Sequence, residues 1–456
     1  MTFFSLEFSI LMILFFALYW FFNHHKVQNF LILIFSYFIY ILINPYFALI
    51  LFIYTFFIYY FSLVIFIRRK KYLFLACIAL VILNLCFFKY FSSIKDSFDQ
   101  FLLFLGFDFL NSDVIFPMGI SFYTFASITY LTEVYKKRKI QTFLDLCTYL
   151  SFFPTLLMGP IMRSEFFFAQ AHKKRKFENA DLILILLLFG IVKKVLIANY
   201  LGIYAKEILD NPSNYNFLDL LCAIYAFSVQ IYCDFSGYVD LVCAFALMLG
   251  FTLPPNFNMP YLAKNLKEFW QRWHISLSTF IRDFIYIPLG GSKKGLVRTL
   301  FNLLIAFALS GIWHGNTINF LIWGLLHGAG VVFLHFFAFK KYQFKYSTYL
   351  GRFITFHYVS FAWIFFYYAN FEDALLFLNS CVQNFTQPNN TQNFTILLSF
   401  AASFLLYPYL INLKENCVKI FIQMPLFLKP FVLAFVLILI FKTMPSGIPN
   451  FIYSSF

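Results

Sequence analysis

Two histidines occupy settings in which an imidazole can move protons. His314 lies in Ser310-Gly311-Ile312-Trp313-His314-Gly315, at the end of the apolar run 296–309 and just ahead of a second apolar run, 318–337. His274 lies in Trp270-Gln271-Arg272-Trp273-His274-Ile275-Ser276-Leu277-Ser278, in the most polar stretch of the chain. Histidine alone has an unperturbed pKa that lets it take up and return a proton near neutral pH. A titratable group inside apolar sequence costs free energy unless it faces a cavity or a partner, so His314 is the leading candidate for a general base. The competing reading is a buried histidine that merely hydrogen-bonds a neighbouring helix.

Other groups form a supporting set. Lys264, Lys267 and Arg272 can concentrate an anionic ligand, such as the phosphates of a nucleotide-like acyl donor; the alternative is that they anchor an interfacial helix together with Trp270 and Trp273. Ser278 stands four residues after His274 and shares its side of a helix. Asp234 and Asp240 lie inside the apolar run 217–245, each with a hydroxyl four residues away, Tyr238 for Asp234 and Ser236 for Asp240. Intramembrane acids mark either function or a paired structural charge, and a supporting role is the expectation here. His24, His25 and His172 sit beside basic residues and are read as solvated, His327 as packing or lining a cavity, and His335 and His357 as lacking polar company.

The elements that must position these groups are membrane helices. Of 456 residues, 62% are hydrophobic and 12% charged, and mean hydropathy is +0.77. No soluble globular domain of ordinary composition looks like this. The net charge of +14 falls in short clusters between apolar runs, which fits cytoplasmic loops and argues against a nucleic-acid partner. Eight cysteines without a CxxC pair indicate neither a disulfide framework nor a metal site. Spans are predicted near 8–22, 27–43, 47–67, 72–91, 114–135, 182–200, 217–245, 296–313, 318–339, 353–368, 395–411 and 431–441, about 11–12 in all. The first reads as a retained span and not as a removable signal peptide.

Placing the basic clusters at 68–71, 136–139, 173–176, 293–294 and 340–341 in the cytoplasm puts 97–113 and 371–393 outside. The run 143–162 then has basic clusters on both sides and cannot cross once. Pro154 and Gly159-Pro160 break its helix, so it is expected to be re-entrant, as is 280–291 around Pro288 and Gly290-Gly291. The expected fold is all-α and polytopic, with re-entrant segments around a central cavity.

Several motifs in order carry a resemblance. Pro117-Met118-Gly119-Ile120-Ser121-Phe122-Tyr123-Thr124-Phe125, Phe152-Phe153-Pro154 followed by Gly159-Pro160-Ile161-Met162-Arg163, the run 230–240, the stretch 268–278, Arg282-Asp283-Phe284-Ile285-Tyr286-Ile287-Pro288-Leu289-Gly290-Gly291, and Trp313-His314-Gly315 with Trp323-Gly324-Leu325-Leu326-His327-Gly328 closely resemble the membrane-bound O-acyltransferases. Within that superfamily they are similar to the bacterial branch that O-acetylates alginate and peptidoglycan. The likeness is dense from about 116 to 328; Tyr367 departs from it, standing where an arginine is common.

The resemblance implies one membrane domain, with N-terminal helices at 1–113, a catalytic core at 114–340 and C-terminal helices at 341–456. It implies that His314 is the catalytic histidine and His274 the second active-site histidine. Trp273, Trp313 and Asp234 join Lys264, Lys267, Arg272 and Ser278 as donor-binding or supporting residues. It also implies a multi-pass protein of the bacterial inner membrane that takes acetyl from a cytoplasmic thioester, acetyl-CoA being the expected donor, with no bound cofactor or metal. Besides membrane lipids, the implied partners are a periplasmic acetyltransferase and, through it, a polysaccharide, with peptidoglycan preferred to alginate.

The chemistry agrees: acyl transfer to a hydroxyl needs a base near neutrality and a group to stabilise the oxyanion. His314 is assigned the first task, and His274 is read as orienter or oxyanion donor. The rivals are D-alanyl or lipid O-acyl transfer on the same fold, and a solute transporter, since intramembrane acids and re-entrant segments also build solute pathways.

Overall fold

The computed structural model describes residues 6–104, 116–340, 347–388 and 391–445. The described residues form helices and connections without a strand. The expected outer loop 97–113 lies partly outside them. The chain makes two compact units, residues 1–180 with 245–254, and residues 181–244 with 255–456. The motif-dense segment 114–340 contributes to both.

The first unit holds α1 (Leu6–Phe21), α2 (His25–Ile43), α3 (Pro45–Arg68), α4 (Lys71–Phe104), α5 (Ile120–Lys137), α6 (Phe143–Leu150), α7 (Phe153–Leu156) and α8 (Ser164–Ala171). Aromatic packing dominates its interior: Phe15 stacks on Phe35 at 3.8 Å and meets Phe153 edge-on. Arg175 is buried with its guanidinium over Phe251 and Tyr19, and donates to the His25 carbonyl at 3.1 Å. The expected re-entrant run 143–162 is the broken pair α6–α7 with irregular backbone after it. Its freed groups find side chains: Phe153 N–H donates to Ser36 Oγ at 3.2 Å, and Tyr149 Oη donates to the Met162 carbonyl at 2.7 Å.

The second unit holds α9 (Ala180–Ile191), α10 (Asn199–Leu209), α11 (Phe217–Met248), α12 (Leu266–Arg272), α13 (Ile275–Ile281), α14 (Leu296–His314), α15 (Ile318–Phe339), α16 (Thr348–Tyr367), α17 (Phe371–Gln383), α18 (Thr391–Leu406), α19 (Leu413–Gln423) and α20 (Lys429–Thr443). Helices α14 and α15 are joined by three residues and run antiparallel. A Cβ on Gly311 would fall 2.2 Å from the Phe320 carbonyl oxygen, and one on Gly324 would fall 2.4 Å from that of Phe307. Backbone therefore touches backbone at this crossing, and only glycine permits it. Asn319 ties the start of α15 to the end of α16, donating to the carbonyls of Tyr368 and Asn370 at 2.8 Å each.

Six helices among the described residues are long and apolar enough to span a bilayer: α2, α3, the first part of α4, α11, α14 and α15; a bent pair at 394–423 makes a seventh. The other expected spans form helices that are shorter, as α1 is, or more polar, as α5 and α16 are. The span expected at 182–200 is interrupted by a π-helical segment, Val192–Ala198, carrying Lys193 and Lys194. Lys193 pairs with Asp240 at 2.6 Å and Lys194 pairs with Asp234, both acids being on α11. The acids thus find ion-pair partners in lysines of another segment.

Lys194 and Asp234 are each 3% exposed, so removing one partner strands a buried charge. Lys194→Met should lower stability by about 3–5 kcal/mol, while Lys194→Met with Asp234→Leu should recover much of the loss. Thermal unfolding in detergent checks both.

Candidate active site

The site grows out of a short irregular segment. Asn265 caps α12 by accepting from the Glu268 N–H at 2.9 Å, and Glu268 accepts from the Lys264 N–H at 2.9 Å, so two backbone donors at the start of this short helix are satisfied. The helix ends at Trp273. His274 follows with φ 42° and ψ 53°, a left-handed conformation that costs a non-glycine residue about 1–3 kcal/mol. Flanking backbone bonds hold it there: Asn258 N–H donates to the Arg272 carbonyl and Ile275 N–H to the Asn256 carbonyl, each at 2.9 Å.

His274 is 1% exposed. Its Nδ1 lies 3.1 Å from Asn256 Oδ1, its ring meets Phe235 edge-on at 4.8 Å, and Nε2 has no hydrogen-bond partner among the described residues. Burial pushes the imidazole pKa down to about 3, so it is neutral at physiological pH.

His314 ends α14 and is 4% exposed. Its ring lies 5.0 Å from Trp323 and 5.2 Å from Phe366, both near perpendicular, and 4.6 Å from Trp313. Trp313 also lies 6.4 Å from His274. Residues forty apart in sequence thus bring two imidazoles against one indole. His327 is fully buried among Phe269, Trp270 and Trp323, so it packs as one of the two sequence alternatives held.

Beside this cluster is a cavity of about 520 Å³. Ser292 and Ala338, adjoining the basic pairs at 293–294 and 340–341, line it, and its wall follows α14 from Leu303 to Ser310. That stretch is roughly 10 Å of helix, and His314 stands one turn, roughly 6 Å, beyond. Neither His314 nor His274 is on the wall, although Ser310 and Ile275 are. Aromatic packing closes the interval: Trp270 lines the cavity, meets Trp323 at 5.8 Å, and Trp323 meets His314. Ser310 Oγ is buried without a hydrogen-bond partner among the described residues.

The remaining expected residues divide. Lys267 and Ser278 line the cavity, as do Arg282 and Tyr286, which the sequence reading had not singled out as candidates. Arg272 is engaged elsewhere, in a salt bridge to Glu268 at 2.8 Å and a bond to the Asn258 carbonyl at 3.1 Å. Lys264 is exposed and off the cavity wall. Trp273 is core, stacked on Phe269 at 5.7 Å and against Trp363 at 5.2 Å. Asp234 is held by Lys194, and Phe235 beside it touches His274. His357, expected to lack polar company, has it: Tyr225 Oη is 2.6 Å from its Nε2. Tyr367, the departure from the motif, donates to Asp210 at 2.6 Å. Asn256 was missed because it lies eighteen residues before the histidine it touches; Lys193 and Lys194 left a signal, as charges within an apolar run.

The comparisons with known proteins agree with the motifs. A family model described as MBOAT, membrane-bound O-acyltransferase family, matches residues 130–372, just over half of the chain. A peptidoglycan O-acetyltransferase of Helicobacter pylori is 34% identical over 69% of this chain and 65% of its own length. A probable alginate O-acetylase of Pseudomonas syringae pv. tomato is 39% identical over 54% of this chain and 49% of its own. A teichoic acid D-alanyltransferase of Bacillus subtilis is 30% identical over 55% and 68%. The chain thus spans about half to two thirds of the length of these relatives. Taken with the helical architecture and the order of its motifs, the family match shows that this chain belongs to the membrane-bound O-acyltransferase family.

Proposed function

We propose that the chain is an O-acyltransferase, a multi-pass protein of the bacterial inner membrane, that takes an acetyl group from a cytoplasmic thioester and passes it across the membrane for O-acetylation of a polysaccharide. The convergence of His314 and His274 on Trp313, one helical turn beyond a cavity, carries this reading. Lys293-Lys294 follow Ser292 in the chain, which supports reading that end of the cavity as the cytoplasmic one.

Acetyl-CoA suits the cavity as donor. Lys267 offers a cation to its phosphates, Arg282 beside it being paired with Asp283 at 2.7 Å, and the apolar wall along α14 suits a pantetheine-like arm pointing toward Ser310. His314 acts as general base. It takes the proton of the attacking hydroxyl as that oxygen bonds to the thioester carbonyl carbon, and returns it to the sulfur as the carbon–sulfur bond breaks. His274 is the second active-site histidine. Arg272 keeps α12 in place, and a periplasmic acetyltransferase receives the acetyl group.

Peptidoglycan is the preferred final acceptor, supported by the relative of that name, which aligns with more of this chain than the alginate relative does. D-Alanyl transfer to teichoic acid is the second reading, supported by the Bacillus relative.

His314→Ala should lower ester-linked acetate on isolated cell wall by roughly 10²- to 10⁴-fold, the contribution of a positioned base. His274→Ala should also lower it. Protein amount in the membrane is measured alongside, and unchanged acetate in the His314 variant would refute the assignment. Supplying labelled D-alanyl donor in place of acetyl-CoA separates the second reading.

Lys267→Gln should raise KM for acetyl-CoA several-fold with kcat little changed, because a cation at the cavity wall aids binding before chemistry begins. Initial rates in membranes at varied acetyl-CoA give both constants.

His274, neutral when folded and protonated below about pH 6.5 when unfolded, makes the unfolded state the better proton binder. It therefore costs stability progressively as pH falls from about 6.5 toward 3. Thermal unfolding at pH 7, 6, 5 and 4 should show a shallower decline for His274→Gln than for the unsubstituted protein.

A further inference from the structure

We propose that Asn256 is a positioning residue that holds His274 as the Nδ1–H tautomer, so that Nε2 meets the reactants as a hydrogen-bond acceptor. This rests on the reading of His274 as part of the transfer site, and narrows its role from orienter or oxyanion donor to an orienter that accepts a hydrogen bond.

Three donors meet one oxygen. Ser276 N–H lies 3.2 Å from Asn256 Oδ1, Ser276 Oγ lies 2.7 Å from it, and His274 Nδ1 lies 3.1 Å from it. A backbone N–H can only donate, so the atom it faces is the amide oxygen and not the amide nitrogen. An oxygen with no hydrogen obliges His274 Nδ1 to carry the proton. In a neutral imidazole the other nitrogen then has a bare lone pair, and burial keeps this ring neutral. Nε2 is the atom left without a partner among the described residues.

The surroundings make the hold rigid. Asn256 is 2% exposed, and its backbone carbonyl also receives the Ile275 N–H at 2.9 Å. One residue thus clamps both the left-handed turn at His274 and its ring. The rings of Phe235 and Trp313 flank the imidazole in T-shaped contacts and bring no acceptor oxygen to compete for Nδ1. An Nδ1–H imidazole cannot donate from Nε2, so His274 can accept a hydrogen bond or a proton from a hydroxyl there, but it cannot stabilise an oxyanion unless it is first protonated. It therefore steers the attacking hydroxyl, while His314 is left to complete the proton transfer.

The test uses the full chain in detergent or nanodiscs with ¹⁵N-labelled histidine, the His274 signal being assigned by its loss in His274→Gln. The Nδ1–H tautomer is expected in the unsubstituted protein and in Asn256→Asp, whose carboxylate still accepts from Nδ1, and a mixture or the Nε2–H form in Asn256→Leu. Acetyl transfer should fall on the order of 10²-fold in Asn256→Leu and be largely rescued in Asn256→Asp. An Nε2–H ring in the unsubstituted protein overturns the proposal, as does an unaltered tautomer in Asn256→Leu; should Asn256→Leu not fold, the unsubstituted protein and Asn256→Asp decide the matter by the same signal. If the tautomer changes as expected while transfer is untouched, the place of His274 in the reaction fails, and the hold of Asn256 on its ring stands.

Discussion

The backbones of α14 and α15 come into contact where Gly311 meets the Phe320 carbonyl and Gly324 meets that of Phe307, which lets the pair hold His314 in a dense aromatic layer. This crossing decides where His314 ends up. A side chain larger than hydrogen at either position would part the helices and move the imidazole off Trp323 and Phe366. In an environment without water, association between helices rests on close packing and internal polar contacts, so a small-residue crossing is both the cheapest and the firmest way to fix a site.

The same constraint explains the polar groups. The charges and the strained turn described near the site have matching elements: Lys194 for Asp234, Glu268 for the half-buried Arg272, Asn256 for the left-handed His274. Lys194 and Asn256 reach their partners from separate segments, whereas Glu268 and Arg272 pair one turn apart on α12, so the unit's interior is organised as much by these pairs as by its aromatic core. The π-helical segment at 192–198 is part of this, since it carries two adjacent lysines that both reach acids on α11.

The cavity and the histidine cluster divide the work. The cavity is amphipathic, with Lys267 and Arg282 on its wall alongside the apolar side of α14, and suits a ligand with an anionic end and a flexible arm. The cluster is aromatic and nearly dry, which strengthens any electrostatic interaction made there. Trp270 and Trp323 separate the two, so an arm reaching His314 has to displace packed indole rings.

How much of this was legible beforehand follows from the range of each signal. Apolar runs separated by basic clusters showed a polytopic all-α protein, and Pro154 with Gly159-Pro160 showed where a helix would break, because these are local properties of the chain. Ordered motifs pointed to the family and to His274 and His314, since each imidazole sits among residues of unusual polarity for its surroundings. Sequence also showed that Asp234 and Asp240 needed partners. It did not say which, because a helix brings together residues four apart while tertiary packing joins residues forty or more apart, as with Lys194 and Asp234. Only the folded chain places both imidazoles on Trp313 and puts Asn256 behind His274. Those choices depend on which faces of separate helices touch, and no local periodicity encodes that.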